Sequence, residues 1–101
     1  MTLSTVDILS LVEQGSRPIP NTLRKHRKLL GYSQKQVARL LDLKDAQHVS
    51  LWETGKKLPN TVNLLKLSLI YRTYPNALYG DLLYSLKVSI KEKEIQLFQE
   101  N

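Results

Sequence analysis

The chain has 101 residues and no cysteine, with 42% hydrophobic and 24% charged residues; this fits one compact domain and excludes a disulfide framework or a thiolate metal site. The net charge of +6 is localised, because eleven of the fifteen lysines and arginines lie between Arg17 and Lys66 against only Asp42, Asp45 and Glu53, a local +8 beside −2 for the remainder. A cationic centre suits a polyanionic partner, since each phosphate it neutralises releases condensed counterions.

In chain order, the only hydrophobic period that recurs is helical, so the expected fold is all-α. Ser4-Thr5-Val6-Asp7 fits a capping box, and Val6, Ile8, Leu9, Leu11 and Val12 form the apolar side of a short helix ending at Gly15. This opening carries Asp7 and Glu13 and lacks the basic start of a secretion leader, and no run reaches the roughly 20 apolar residues that span a bilayer. Arg17-Pro18-Ile19-Pro20 reads as an extended connector. Asn21 or Thr22 then caps a helix with Leu23, His26/Arg27 and Leu30 at helical spacing, closed by Gly31.

Ser33-Gln34-Lys35-Gln36 is a second capping box, followed by Val37, Ala38 and Leu41 on one face. Asp42-Leu43-Lys44 is a turn, and Asp45 caps a helix expected over Ala46 to Thr54, closed by Gly55. After the Lys56-Lys57-Leu58-Pro59 loop, Asn60 or Thr61 caps a helix with Leu64, Leu67, Ser68 and Tyr71 on a common face. Pro75-Asn76 starts another with Leu78, Leu82 and Leu83, and a charged last segment, Lys87 to Gln99, contains Val88, Ile95 and Phe98. Three units follow: an N-terminal helix and connector (1–20), a central domain (21–86) and a C-terminal charged helix or tail (87–101).

Two short helices joined by a brief turn in a basic all-α domain have the layout of a helix-turn-helix, whose second helix is narrow enough to enter the DNA major groove. At about 100° per residue, with Val49 at 0°, Trp52 falls near 300° and Glu53 near 40°, whereas Gln47, Leu51 and Thr54 fall near 160°, 200° and 140°. The second helix therefore buries Val49 and Trp52 and presents Gln47, Leu51 and Thr54, with His48 and Ser50 on the flanks. Beside Val49, Trp52 reads as core rather than as a base-stacking residue. Neither His26 nor His48 has a second metal ligand at i+3 or i+4, and Ser33 has no base beside it, so no metal, cofactor or catalytic centre is expected.

The stretch LRKHRKLLGYSQKQVARLLDLKDAQHVSLWETGKKLPN resembles the Xre/Cro-like helix-turn-helix family, which has the fold of phage lambda repressor. The marks are Gly31-x-Ser33-Gln34, Val37-Ala38 then Leu41, Val49-Ser50, and Trp52-Glu53-x-Gly55-Lys56 followed by Pro59; the likeness extends from about Leu23 through Leu83. It implies a lambda-repressor-like bundle of about five helices, with extra helical segments at each end. It also implies an ion pair between Arg27 and Glu53, base reading by Ala46, Gln47, His48, Ser50 and Leu51, and phosphate contacts from Gln34, Lys35, Thr54, Lys56 and Lys57. Gln47 would make a bidentate amide contact to adenine, and Leu51 would meet a thymine methyl. The chain departs from the family twice: Asp42 stands where glycine usually makes the sharp turn, and Leu43 to Val49 is one residue longer than the commonest spacing. The extra residue either lengthens the turn or starts the recognition helix early.

The resemblance implies a double-stranded DNA partner and a transcriptional regulator of repressor type, located in a bacterial or phage-infected cytoplasm. The apolar residues of the flanks favour a homodimer over simple packing against the N-terminal helix. The alternatives are an antitoxin or protein-interaction module with the same DNA-binding domain, whose flanks bind a protein partner, and an RNA-binding protein that has kept only the fold.

Overall fold

A computed structural model describes residues 17–100; the expected N-terminal helix therefore lies outside the described residues. Six helices follow in order: α1 Leu23–Leu29, α2 Gln34–Leu40, α3 Gln47–Glu53, α4 Thr61–Ile70, α5 Pro75–Leu78 and α6 Gly80–Gln99. No strand occurs among the described residues, and none of these helices is long and apolar enough to cross a membrane.

The first three helices have seven residues each, well below the roughly 12–15 at which an isolated helix becomes even marginally stable in water. They persist because each contributes an apolar edge to one core: Leu23 from α1, Val37 and Ala38 from α2, Val49 and Trp52 from α3, Leu67 from α4 and Leu78 from α5, completed by Leu41, Tyr71 and Tyr79 at helix ends. Val37 and Leu78 have no exposed surface at all. The α4 face expected from spacing is present, with Leu67 and Ser68 buried and Leu64 half-buried.

Helix ends follow one design. α1, α2, α3 and α4 each stop at a residue with positive φ, namely Gly31 (78°), Asp42 (58°), Gly55 (74°) and Arg72 (55°). In each case two amides bond backwards: Gly31 N to Lys28 O and Tyr32 N to Arg27 O, Asp42 N to Arg39 O and Leu43 N to Ala38 O, Gly55 N to Trp52 O and Lys56 N to Leu51 O, and Arg72 N to Leu69 O and Thr73 N to Ser68 O. These are Schellman closures, which satisfy carbonyls left orphaned by the last helical turn. Asp42 thus supplies the left-handed turn at the position where the family favours glycine.

The capping residues divide. Ser33 and Gln36 make the expected reciprocal capping box, and Asn60 Oδ1 accepts from Asn63 N at 2.8 Å. At α1, Thr22 holds the cap position without a side-chain cap bond. Its hydroxyl instead donates to Ala77 O at 2.7 Å, and its amide donates to Leu78 O at 2.9 Å, so the entry to α1 is stitched to α5. The helix expected to run on from Pro75 is broken at Tyr79 (φ −130°, ψ 39°). It restarts as α6, which is continuous through residues 86 and 87. Leu83, expected on that helix with Leu78 and Leu82, is 47% exposed.

Candidate nucleic-acid interface

The two halves of the central motif are joined through Leu41–Ala46, and α3 begins at Gln47. The extra residue before Val49 has therefore lengthened the turn and has not extended the helix. α3 is shorter at both ends than the sequence indicates, since Ala46 and Thr54 are its caps. Asp45 still serves the helix start, because its Oδ1 accepts from Gln47 N at 2.9 Å.

α3 is held from three directions. Val49 and Trp52 sink into the core. The Glu53 carboxylate, whose side chain is only 3% exposed, meets Arg27 twice: Oε2 accepts from Nε at 2.6 Å and Oε1 accepts from Nη2 at 3.1 Å. Gln34 Nε2 also donates to Oε1, at 3.0 Å, and Arg27 Nη1 donates to Tyr32 O at 2.9 Å. The hydrogen bond to Glu53 raises the Arg27 guanidinium above its ordinary pKa, against the opposing effect of burial. This two-pronged, charge-assisted contact fixes orientation as well as distance.

The third hold comes from the connector. Asn21 Nδ2 donates to Ile19 O and Trp52 O at 3.1 Å and to Glu53 O at 3.3 Å, while its Oδ1 accepts from Leu23 N at 3.0 Å. Ile19 N donates to Gly55 O at 2.8 Å. Residues 19–21 therefore clamp the carboxyl end of α3, where carbonyls otherwise lack partners. A Cβ at Gly55 would lie 2.6 Å from both Ile19 N and Ile19 O, so this close approach requires glycine.

The opposite side of α3 carries the expected reading residues. Gln47, His48 and Thr54 are exposed, Ala46, Ser50 and Leu51 half-buried, and Lys35, Lys56 and Lys57 exposed. The His48 ring lies against Trp52, with centroids 6.2 Å apart and a tilt of 32°, so it sits on the flank where the helical wheel puts it. Leu51 is less open than the wheel indicates, and the chain after α3 turns back beside it: Lys56 N and Lys57 N both donate to Leu51 O. Two candidate phosphate donors have intramolecular partners. Gln34 donates to Glu53, as above, and the Thr54 hydroxyl turns back to Ser50 O at 2.8 Å, a bond that consumes its only proton.

Sequence reasoning missed two basic residues. Lys35, Arg39 and Lys44 line one hollow of about 200 Å³ with Ala38, Leu43, Asp45 and Ala46, beside the entry to α3. The four-residue spacing of Lys35 and Arg39 places them on one face of α2, a signal available in the sequence. Cationic groups thus border α3 at its start, with Lys56 and Lys57 following its end. His26 also has a structural role, since its Nδ1 lies 2.9 Å from Thr22 O and must carry the proton that it donates to a carbonyl. Among the described residues no cluster of metal-ligating side chains forms.

A short α2, a turn over residues 41–46 and a second helix anchored on one face and open on the other define a helix-turn-helix DNA-binding domain. A family model described as helix-turn-helix matches residues 23–78, and the chain belongs to that family, the Xre/lambda-repressor-like helix-turn-helix proteins. It is a family of DNA-binding domains and not of enzymes. No curated protein and no solved structure gives a significant match.

Proposed function

We propose that the protein is a transcriptional repressor that reads an operator in double-stranded DNA through α3 and occludes the promoter by occupying it as a homodimer. The observation that carries this reading is the asymmetry of α3. Val49, Trp52 and Glu53 are fixed by the core, Arg27, Gln34 and Asn21, while Gln47 and His48 remain exposed and follow Ala46, which lines a hollow with Lys35, Arg39 and Lys44. A rigid reading edge with cations beside it separates the two tasks of such proteins: phosphate contacts set the register, and base-edge contacts select sequence. In this scheme Ala46, Gln47, His48, Ser50 and Leu51 face the bases, and Lys35, Arg39, Lys44, Lys56 and Lys57 face the backbone.

Selection from random duplex DNA, followed by binding at several salt concentrations, tests it. The expected result is an enriched motif bound with nanomolar affinity that falls steeply with salt. Affinity that is independent of sequence would refute base reading. A second reading, an antitoxin or protein-interaction module, draws on one specific observation, which lies on α4 in the central domain and not in the flanks expected to bind the partner. Val62, Leu65 and Leu69 form an aliphatic stripe on α4 and are 60%, 51% and 78% exposed. A stoichiometric complex with a defined protein that is lost on Leu65→Lys would favour that reading.

A further inference from the structure

α6 has 20 residues and is about 30 Å long at 1.5 Å per residue. Its inner side rests on the domain through buried Ser85 and half-buried Leu82, Val88 and Ser89. The opposite side is apolar yet open: Leu83 is 47% exposed, Leu86 43%, Ile90 56% and Phe98 76%. From Ile90 to Glu100 every residue is exposed. At about 100° per residue, Leu86, Ile90, Leu83, Glu94, Lys87 and Phe98 fall within a sector of about 120°. A groove of about 600 Å³ runs along this face, lined among the described residues by Leu83, Leu86, Lys87, Ile90, Lys91 and Glu94. Exposed apolar residues set among charges in this way mark an interaction surface, and a half-helix of about ten residues gains little stability by itself.

We infer that this face is covered by the same face of a second copy, with the two α6 helices antiparallel about a two-fold axis passing between Ile90 and Lys91. The charges select this arrangement. Leu83 and Phe98 are equally distant from the axis, as are Lys87 and Glu94, so each apolar end meets the other apolar end and each Lys87 meets a Glu94, twice over, while at the axis itself Ile90 lies level with Lys91. A parallel, in-register pair would bring Lys87 level with Lys87 and Glu94 level with Glu94. Self-complementarity under a two-fold operation is what an isologous dimer requires. The inference gives the homodimer of the proposed function a surface and an orientation, and it rests on that reading only for the matching two-fold symmetry of the operator.

Sedimentation of the full chain at micromolar concentration, without DNA, tests the pairing and should show a dimer. Lys87→Glu and Glu94→Lys should each raise the dimer dissociation constant roughly tenfold, because two attractions become repulsions. An equimolar mixture of the two variants should recover the original affinity. Because the chain lacks cysteine, cross-linking reads the orientation directly. Leu83→Cys combined with Phe98→Cys should give covalent dimers on oxidation, while either substitution alone should not; within one helix the two positions are about 22 Å apart, too far for an internal disulfide. A monomeric chain would overturn the inference, including one in which residues 1–16 or another protein shields this face. So would cross-linking by Leu83→Cys alone, or a mixture no tighter than its components. A monomer that still selects an operator would sink the pairing and leave DNA reading intact, whereas a dimer without sequence preference would support the pairing and sink the reading.

Discussion

Replacing Arg27 by alanine should destabilise the domain severely while leaving the surface of α3 untouched. The substitution removes both guanidinium contacts to Glu53 and the donor to Tyr32 O. A carboxylate that is 3% exposed is left with the single Gln34 amide. Breaking a buried ion pair from one side costs about 3–5 kcal/mol. At about 0.05–0.15 kcal/mol per residue, a domain of this size has a total stability of about 5–15 kcal/mol. The variant should therefore melt at least about 12 °C lower, given roughly 4–8 °C per kcal/mol. Trp52, the only tryptophan and 4% exposed, reports unfolding directly by its emission in a urea titration. Arg27→Met combined with Glu53→Leu removes both charges and should recover most of the loss, since apolar replacements of buried pairs are often neutral or better. A loss below about 1 kcal/mol for Arg27→Ala, or a double variant as unstable as the sum of the two single ones, would refute the assignment of Arg27 and Glu53 as the tie that orients α3.

Gly55→Ala should cost well over the roughly 1–2 kcal/mol of a left-handed alanine, because its Cβ meets Ile19 backbone atoms at 2.6 Å; Gly31→Ala, with φ of 78° and nothing within 4 Å, should cost only that conformational amount, and equal melting shifts would contradict the clamp by residues 19–21. Burial pushes the Tyr79 hydroxyl up to about 12 from about 10 in the unfolded chain; this group leaves stability unchanged with pH below pH 10 and lowers it as pH rises toward 12. Wild type should thus lose about 1.4 kcal/mol by pH 11 through this group. Tyr79→Phe should lack that component, and it should be neutral or slightly stabilising at pH 7, because the hydroxyl is buried without a hydrogen-bond partner. Gln47→Ala should cost about 1–3 kcal/mol on the selected operator and relax one base position, whereas Lys56→Ala should weaken all sequences alike and reduce the salt slope by about one. Identical behaviour of these two variants would remove the distinction between reading and positioning residues.

Much of the fold was legible because local and tertiary preferences agree. The Ser33 capping box, the Asn60 cap and the Val49/Trp52 face rest on nearest-neighbour chemistry and helical period, and each has the expected partner or burial. What stayed hidden depends on contacts distant in sequence. Thr22 reads as a cap, but its hydroxyl reaches Ala77, 55 residues away. Asn21 reads the same way, yet its amide spans 31 residues to Trp52 O. The break at Tyr79 was invisible because its apolar spacing continues that of a single helix, whereas the observed backbone departs from helical geometry there. Position gives Gln34 and Thr54 outward roles, whereas their hydrogen bonds turn inward.

The lengthened turn limits what the extra residue can change in DNA reading. Val49, Trp52 and Glu53 stand at i, i+3 and i+4, and each is fixed independently, the first two by the core and the third by Arg27. An insertion ahead of them cannot rotate α3 without withdrawing all three from their sites. Its effect must therefore be absorbed upstream, and Leu41–Ala46 absorbs it: Leu43 N still closes α2 on Ala38 O, and Asp45 meets Gln47 N. Ser50, Leu51 and Thr54 consequently keep their register relative to Val49, Trp52 and Glu53. The change is confined to residues 41–46, the connection that ends at the Ala46 cap, and Gln47 and His48 keep their place on α3. Leu43, Lys44, Asp45 and Ala46 of this connection line the hollow with Lys35 and Arg39, so the departure in length and these cations occupy the same place. If this entry seats a phosphate, restoring the commoner spacing by deleting Lys44 should leave the selectivity that depends on Leu51 intact. It should alter preference only where Ala46 and the connection before α3 approach DNA, and selection experiments on the two chains would show the difference at those positions alone.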